Sequence, residues 1–269
     1  MINVVVCGAA GRMGKENISV FSADSDVKII GAIEVKNSKF MGKDAGTVAG
    51  IDNIGINITS NIENLIQDST VVVDFTNPEA TLENIKIVKK YSKAIVIGTT
   101  GFSENKISLL KEYSKSIPVV LSPNMSQGVN VLFYLVSKAT ELLGEQFEVE
   151  ITEIHHNRKI DAPSGTALQF GNIIAHTRGT NLEEVGVFGR YGLSGERKKE
   201  QIGITALRLS DVIGDHSVIF GGPGERIEFI HKSSSRKTYA SGALRAAKFV
   251  AQKKNGFFSM NDVLGISIK

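Results

Sequence analysis

Short and nearly continuous apolar runs punctuate the N-terminal half of the chain, at Ile2 to Cys7, Val27 to Glu34, Val71 to Phe75, Ala94 to Gly98 and Val119 to Ser122. Runs of β-branched and aliphatic residues that stop at glycine or polar clusters predict strands buried on both faces. Between them, Arg12 to Ser22, Ala80 to Tyr91 and Glu104 to Lys115 carry helical spacing. In the second, Leu82, Ile85 and Val88 recur behind Pro78, and Thr76 with Glu79 predicts a capping box. Strand and helix in alternation predict right-handed crossovers, and with them an α/β domain built on a Rossmann-like, doubly wound parallel sheet.

After about Ser126 the pattern changes. Val129 to Leu143 reads as a helix that is apolar on most sides and closed by Gly144. Phe147 to His156, Ile202 to Leu209, Val212 to Phe220 and Arg226 to His231 alternate apolar with polar, separated by turn residues at Ser210 and Asp211 and at Gly221 to Gly224. This predicts an α+β domain with an open mixed sheet. Too few helices remain to cover both of its faces, so the bare face is expected to be buried against another subunit; sedimentation as a monomer would count against that. Tyr239 to Gln252 reads as a helix with Ala243, Ala246, Ala247 and Val250 on one side, expected to return to the first domain. The expected division is residues 1–126 with 238–269, and residues 127–237. Glu196 to Glu200, ERKKE, reads as a solvated loop.

Composition narrows the function classes. A chain of 269 residues that is 42% hydrophobic has apolar surface for two cores. Lys+Arg of 31 against Asp+Glu of 28 leaves a net charge of +3, without the basic excess of a phosphate-backbone binder, so nucleic acid is not an expected partner. Cys7 is the single cysteine, which excludes an internal disulfide framework and fits a reducing, cytoplasmic compartment. No apolar run approaches the roughly 18 residues of a membrane span, and MINVVVCG enters a strand without a basic leader, so a soluble, unprocessed chain with no membrane partner is expected.

Two regions carry candidate chemistry. Gly8, Ala9, Ala10, Gly11, Arg12, Met13 and Gly14 form GAAGRMG between the first strand and the first helix. Glycine there lets a dinucleotide pyrophosphate reach the unpaired amides and positive end of the helix, although tight turns without a ligand use the same residues. Glu34 ends the second strand, where a carboxylate takes ribose hydroxyls as in NAD sites; Lys36 follows and suits the extra phosphate of NADP, so the cofactor choice stays open between NADH and NADPH. Gly98, Thr99 and Thr100 of GTTG, and Ser122, Pro123, Asn124 and Met125 of SPNM, stand at the ends of later strands, as nicotinamide-side contacts or as ordinary turns.

The second region is EIHHNRKIDAPSGTA, Glu153 to Ala167. Ser164 is placed to cap a helix, leaving the amides of Gly165 and Thr166 at its positive end as a carboxylate site, or as a capped helix start facing water. His155 and His156 are adjacent on a strand, point to opposite faces and do not chelate one metal as a pair, so no metal is expected. An imidazole that exchanges protons near neutrality and the Lys159 ammonium beside an anion site suit proton transfer to a carbonyl or imine. His176, His216 and His231 lack such company and read as structural, and Cys7 reads as a buried thiol.

Taken together, GxxGRMG at Gly8 to Gly14, DFTxPE at Asp74 to Glu79, GTTGF at Gly98 to Phe102 and HHxxKxDAPSGTA at His155 to Ala167, with the later IGDH, ERIE and SSR segments, resemble the dihydrodipicolinate reductase family over essentially the whole chain. The resemblance implies reduction by NADH or NADPH of a small cyclic dicarboxylate derived from 4-hydroxy-tetrahydrodipicolinate, with loss of water, in the diaminopimelate route to lysine. It also implies a homotetramer formed through the second sheet and closure between the domains. It makes His155 the acid/base and Lys159 a proton donor, with His156, Gly165 and Thr166 on the substrate carboxylates. Gly8 to Met13, Glu34, Gly98 to Thr100 and Ser122 to Met125 would contact the dinucleotide. Val35 and Asn77 stand where arginine is frequent, and Met125 where phenylalanine is common.

Overall fold

The computed structural model describes residues 1–267; Ile268 and Lys269, the end of the expected 238–269 segment, lie outside the described residues. The chain divides into two compact units. One holds Met1–Gln127 with Arg236–Ser267, and the other Gly128–Ser235.

In chain order, the first unit contains β1 (Ile2–Cys7), α1 (Arg12–Ser22), β2 (Val27–Ile33), α2 (Ala45–Ala49), β3 (Ile58–Thr59), α3 (Glu63–Ile66), β4 (Val71–Asp74), α4 (Pro78–Lys90), β5 (Ala94–Ile97), α5 (Glu104–Ser114) and β6 (Pro118–Leu121). α6 (Gln127–Leu143) enters the second unit from Gly128, followed by β7 (Glu148–His155), α7 (Gly165–Thr177), α8 (Leu182–Val185), β8 (Gly186–Val187), β9 (Ile202–Arg208), β10 (Gly214–Gly222) and β11 (Glu225–Ser233). The chain then returns to the first unit with α9 (Lys237–Val250), β12 (Gly256–Phe258) and α10 (Met260–Leu264).

The first sheet runs β12-β6-β5-β4-β1-β2-β3, and every pairing in it among the described residues is parallel. Period-two alternation assigns its residues to two cores. Val4, Val6, Val71, Val73 and Val96 pack against Ile18 and Phe21 of α1 and Ala243, Ala246 and Val250 of α9. Val5, Cys7, Val72, Ile95 and Ile97 pack against Ile85 and Val88 of α4 and Leu110 of α5. Strand order reverses between β1 and β4, the kind of point at which open parallel sheets bind ligands.

The second sheet, β11-β10-β7-β9-β8, is mixed: β10 is antiparallel to β7 and β11, while β7 and β8 run parallel to β9. Val149 and Ile151 of β7, Ile204 of β9 and Val218 and Phe220 of β10 meet Val136 of α6 and Phe170 and Ile174 of α7. Leu207 and Ile230 are exposed on the other face.

One local expectation is corrected, and a second holds at all but one residue. The cap of α4 is Asn77, whose side chain accepts from the Ala80 amide at 3.0 Å, and not Thr76. Thr76 is drawn to Asp74 instead, and Glu79 pairs with Lys106. Arg197 of the ERKKE stretch is docked: it donates to Glu150, to the Val149 carbonyl and to the Gln201 carbonyl, because β7 leaves acceptors beside that loop.

Candidate active site

In the first unit the glycine-rich turn leaves β1 at Gly8, with φ +75, and enters α1. A Cβ on Gly14 would lie 2.0 Å from the Gly8 carbonyl oxygen and 2.8 Å from Ala9 Cα, so glycine is what lets helix and turn close together. Gly11 occupies the N-cap and no side chain caps α1. An uncapped helix start behind a glycine turn, at the sheet's switch point, fits a dinucleotide pyrophosphate. Ala10 and Met13 are partly buried there and Arg12 is exposed, whereas Ala9 is core. Glu34 lies against this turn: one of its oxygens accepts from the Ala10 amide at 3.0 Å and the other from its neighbour Val35 at 3.0 Å. Burial pushes the Cys7 thiol up, with the charges of Asp74 and Glu34 adding to it, so it is no nucleophile.

Asp74, fully buried at the end of β4, is the hub of this strand-end region and was not singled out by sequence reasoning. It accepts from the Thr76 amide and hydroxyl, the Thr81 and Thr99 hydroxyls and the Asn84 amide group. The Thr99 hydroxyl is thereby held inside the protein, while Thr100 is exposed and Gly98 sits so close to Phe75 that a Cβ would fall 2.1 Å from its ring. In SPNM, Ser122 donates to the Asn124 carbonyl at 2.7 Å, Pro123 is exposed and Met125 is core. A Cβ on Gly242 would lie 1.7 Å from the Met125 carbonyl, so α9 fixes that turn.

In the second unit, alternation along β7 turns Glu153 and His155 to the helix-covered side. Glu153 is fully buried. Its carboxylate meets His155 Nδ1 at 2.5 Å, accepts from the Ser164 amide at 3.0 Å and from Arg208 Nη1 on both oxygens at 3.1 and 3.0 Å. Burial raises the affinity of this carboxyl for its proton, but His155 and Arg208 outweigh that and hold it below the usual carboxylate range. With Nδ1 engaged, His155 Nε2 is the nitrogen available for proton exchange, and it points at Gly214, where a Cβ would sit 3.0 Å away.

Arg208 also fixes the segment that carries the amine. Its Nε donates to the Lys159 carbonyl at 3.3 Å and its Nη2 to the Asp161 carbonyl at 2.6 Å. Lys159 Nζ lies 2.7 Å from both Asp161 oxygens, and that ammonium draws the Asp161 carboxyl below its ordinary range. Ser164 caps α7 by accepting from the Ala167 amide at 3.2 Å, and Gly165 and Thr166 follow it as the first two residues of the helix. A Cβ on Gly165 would meet nothing within 4 Å, so the space beside that residue is open. His156 is half-buried beside this segment.

The expectation that His216 lies away from the histidine-lysine segment is corrected. Its Nε2 lies 3.0 Å from Ser164 Oγ, and its ring stands edge-on to that of His155 with centroids 5.2 Å apart. Burial, then the His155 charge, pushes its pKa down to about 3, so it is a neutral partner of the cap at neutral pH. Sequence spacing had no means of bringing it here; the antiparallel register of β10 on β7 sets His216 opposite Glu153.

Residues 2–125 match the family model described as dihydrodipicolinate reductase, N-terminus, and residues 128–264 match that described as dihydrodipicolinate reductase, C-terminus. The chain belongs to the dihydrodipicolinate reductase family. It is 44% identical over 266 residues to the 4-hydroxy-tetrahydrodipicolinate reductase of Nitrosomonas eutropha, with 99% of each chain covered. It is 46% identical to the reductase of the same description from Nitrosospira multiformis, with 98% of each covered. In fold it is similar to the dipicolinate-bound dihydrodipicolinate reductase from Paenisporosarcina sp. TG-14, at TM-score 0.77 and 24% identity over 96% of this chain and 97% of that one.

The family makes this reductase an oxidoreductase dependent on NADH or NADPH. In the second unit, Glu153 and Arg208 are residues that sequence reasoning missed, as it missed Asp74 in the first. One signal was present for Glu153: an acidic residue at an inward position of a strand otherwise filled by Val149 and Ile151.

Proposed function

We propose that this reductase converts 4-hydroxy-tetrahydrodipicolinate, with loss of water, to tetrahydrodipicolinate in the diaminopimelate route to lysine. Bound NADH or NADPH supplies the hydride. The first unit is the dinucleotide domain in this reading: Gly8 to Met13 and Glu34 hold the pyrophosphate and adenosine ribose, and Gly98 to Thr100 with Ser122 to Met125 line the nicotinamide side. The second unit is the substrate domain.

Reduction pushes electrons into the substrate's conjugated imine, so the protein must supply a proton and stabilise negative charge as it develops. Lys159 Nζ does both by standing as a cation near the ring nitrogen and releasing a proton to the ring. His155 Nε2 is the acid/base that exchanges the proton, while Glu153 fixes its tautomer from the Nδ1 side and supports the imidazolium. The Gly165 and Thr166 amides, the Thr166 hydroxyl and His156 hold the two carboxylates at the positive end of α7.

The single observation that carries this reading is the buried Glu153 carboxylate. It meets the ring nitrogen of His155, the amide of Ser164 at the N-cap of α7 and the arginine that grips the Lys159 backbone. One group thus ties together all three parts of the chemistry. Binding of dipicolinate, the ligand named for the Paenisporosarcina protein, tests it. By calorimetry the full-length reductase should bind dipicolinate more tightly than pyridine-2-carboxylate, and Thr166→Ala should weaken dipicolinate by about tenfold. Equal affinity for the two acids would contradict a site built for two carboxylates.

The same reading includes a homotetramer joined through the second sheet and a cytoplasmic location. Exposed Leu207 and Ile230 on one face of that sheet support the first. The lone reduced Cys7 supports the second.

A further inference from the structure

Asp74 is a fully buried carboxylate, and among the described residues no lysine, arginine or histidine forms an ion pair with it. Glu153, the other buried acid among them, by contrast meets His155 and Arg208. The side-chain partners of Asp74 are all neutral. The Thr76 amide and hydroxyl reach Oδ1 at 3.0 and 2.6 Å, the Thr81 and Thr99 hydroxyls reach it at 3.0 and 3.3 Å, and the Asn84 side-chain amide donates to Oδ2 at 2.8 Å. A buried charge is costly without an opposite charge, and a neutral side chain can tie the same turns together at lower cost. The charge itself therefore calls for a role.

Its position says which one. Asp74 ends β4, in register with Cys7 of β1 on one side and Ile97 of β5 on the other, at the point where strand order reverses. Its carbonyl accepts from the Gly98 amide at 2.9 Å and its carboxylate from the Thr99 hydroxyl, so main chain and side chain both bind it to the GTTG turn. Its field reaches the neighbouring strand end, because burial, and then the Asp74 charge, push the Cys7 thiol up. In the reading above, the GTTG turn lines the nicotinamide side. Hydride transfer moves two electrons and a proton from the nicotinamide C4–H bond into a new C–H bond on the substrate, and a neutral dihydropyridine ring becomes a cation. Asp74 takes neither electron nor proton in that step; it acts on the charge that the step leaves behind.

We propose that the buried Asp74 carboxylate stabilises the positive charge that appears on the nicotinamide ring and so makes the bound dinucleotide a stronger hydride donor. The proposal rests on the reductase reading above and adds to it the group that sets the reducing power of the bound cofactor. An anion fixed in a water-poor interior acts on a nearby charge more strongly than one in solvent, and it needs no contact to do so. The pyrophosphate is the same in both oxidation states, so its repulsion by Asp74 cancels between them and the ring charge is what remains.

The test is the ratio of dissociation constants of the full-length protein for the oxidised and reduced forms of one dinucleotide, NAD⁺ with NADH or NADP⁺ with NADPH, whichever pair binds more tightly. The reduced form is read from its fluorescence without substrate, and the oxidised form from its displacement of the reduced one. Asp74→Asn keeps an acceptor for the threonines and removes the charge, so it should weaken the oxidised form relative to the reduced form by about tenfold, and Asp74→Ser should act in the same direction. Asp74→Asn with Asn84→Asp exchanges the two ends of the 2.8 Å hydrogen bond, returns a carboxylate to the cluster and should restore most of the wild-type ratio. A residue that only holds the turns would change both affinities together and leave the ratio as it was. An unchanged ratio in either neutral variant that still melts cooperatively, or a changed ratio that the folded exchange variant does not restore, overturns the proposal. Failure of wild type to bind either form of the dinucleotides would instead overturn the reductase reading itself, and this proposal with it.

Discussion

Replacing Lys159 by alanine is expected to lower kcat by about 10²-fold, the usual worth of a positioned proton donor, while dinucleotide affinity stays within about a factor of two. The separation is expected because of how the segment is held. Arg208 grips the backbone carbonyls of Lys159 and Asp161, so the loop keeps its anchor when the side chain is removed. What disappears is the ammonium and the proton it carries. The exposed Asp161 carboxylate is left to solvent, at little cost. Steady-state turnover and nucleotide fluorescence measured on the same preparation check both halves, and undiminished turnover would remove Lys159 from the mechanism.

Glu153→Gln is expected to damage both stability and catalysis. The glutamine amide is neutral, so Arg208 loses the charge that offsets its own, and removing one partner of a buried pair costs about 3–5 kcal/mol. The His155 ring simultaneously loses the acceptor that fixes its tautomer, so kcat should fall by roughly 10²-fold or more even at temperatures where the variant is fully folded. A pH dependence accompanies this. The folded carboxyl is held below its unfolded value, so its contribution to stability is present above the unfolded pKa and is lost as pH falls through the folded one. Chemical unfolding of wild type should therefore show stability falling below about pH 4.5, and Glu153→Gln should flatten that part of the curve. A variant as stable as wild type, with the same acid slope, would mean that the carboxylate is not the centre of the network.

Much of the fold is legible in the sequence because its strands are buried on both faces and its helices carry a single apolar stripe. Arg12 to Ser22 is the helix at the residues its spacing predicts, and Ser164 caps α7 as its position implies. Elements of two to five residues, such as β3, β8, α2 and α10, are too short for any periodicity to show. The cap of α4 moved by one residue because Asn77 and Thr76 are both competent caps and only the buried Asp74 decides between them.

The site was legible where its residues are neighbours in the chain, from His155 through Thr166. It was not legible where strand register brings distant residues together. Arg208 lies directly across from His155 in the parallel β7/β9 pair, and His216 across from Glu153 in the antiparallel β7/β10 pair. A one-residue slip in either register would turn these side chains to the opposite face, so no local pattern announces them.

A reductase of this family spends a reduced nicotinamide on its substrate. The most direct measurement is loss of near-ultraviolet nicotinamide absorbance when substrate freshly condensed from pyruvate and aspartate semialdehyde is added to the wild-type enzyme. NADPH or NADH is expected to be consumed with that substrate and not with pyruvate alone. No consumption, or reduction of the oxidised dinucleotide by an amino acid instead, would contradict the proposed function.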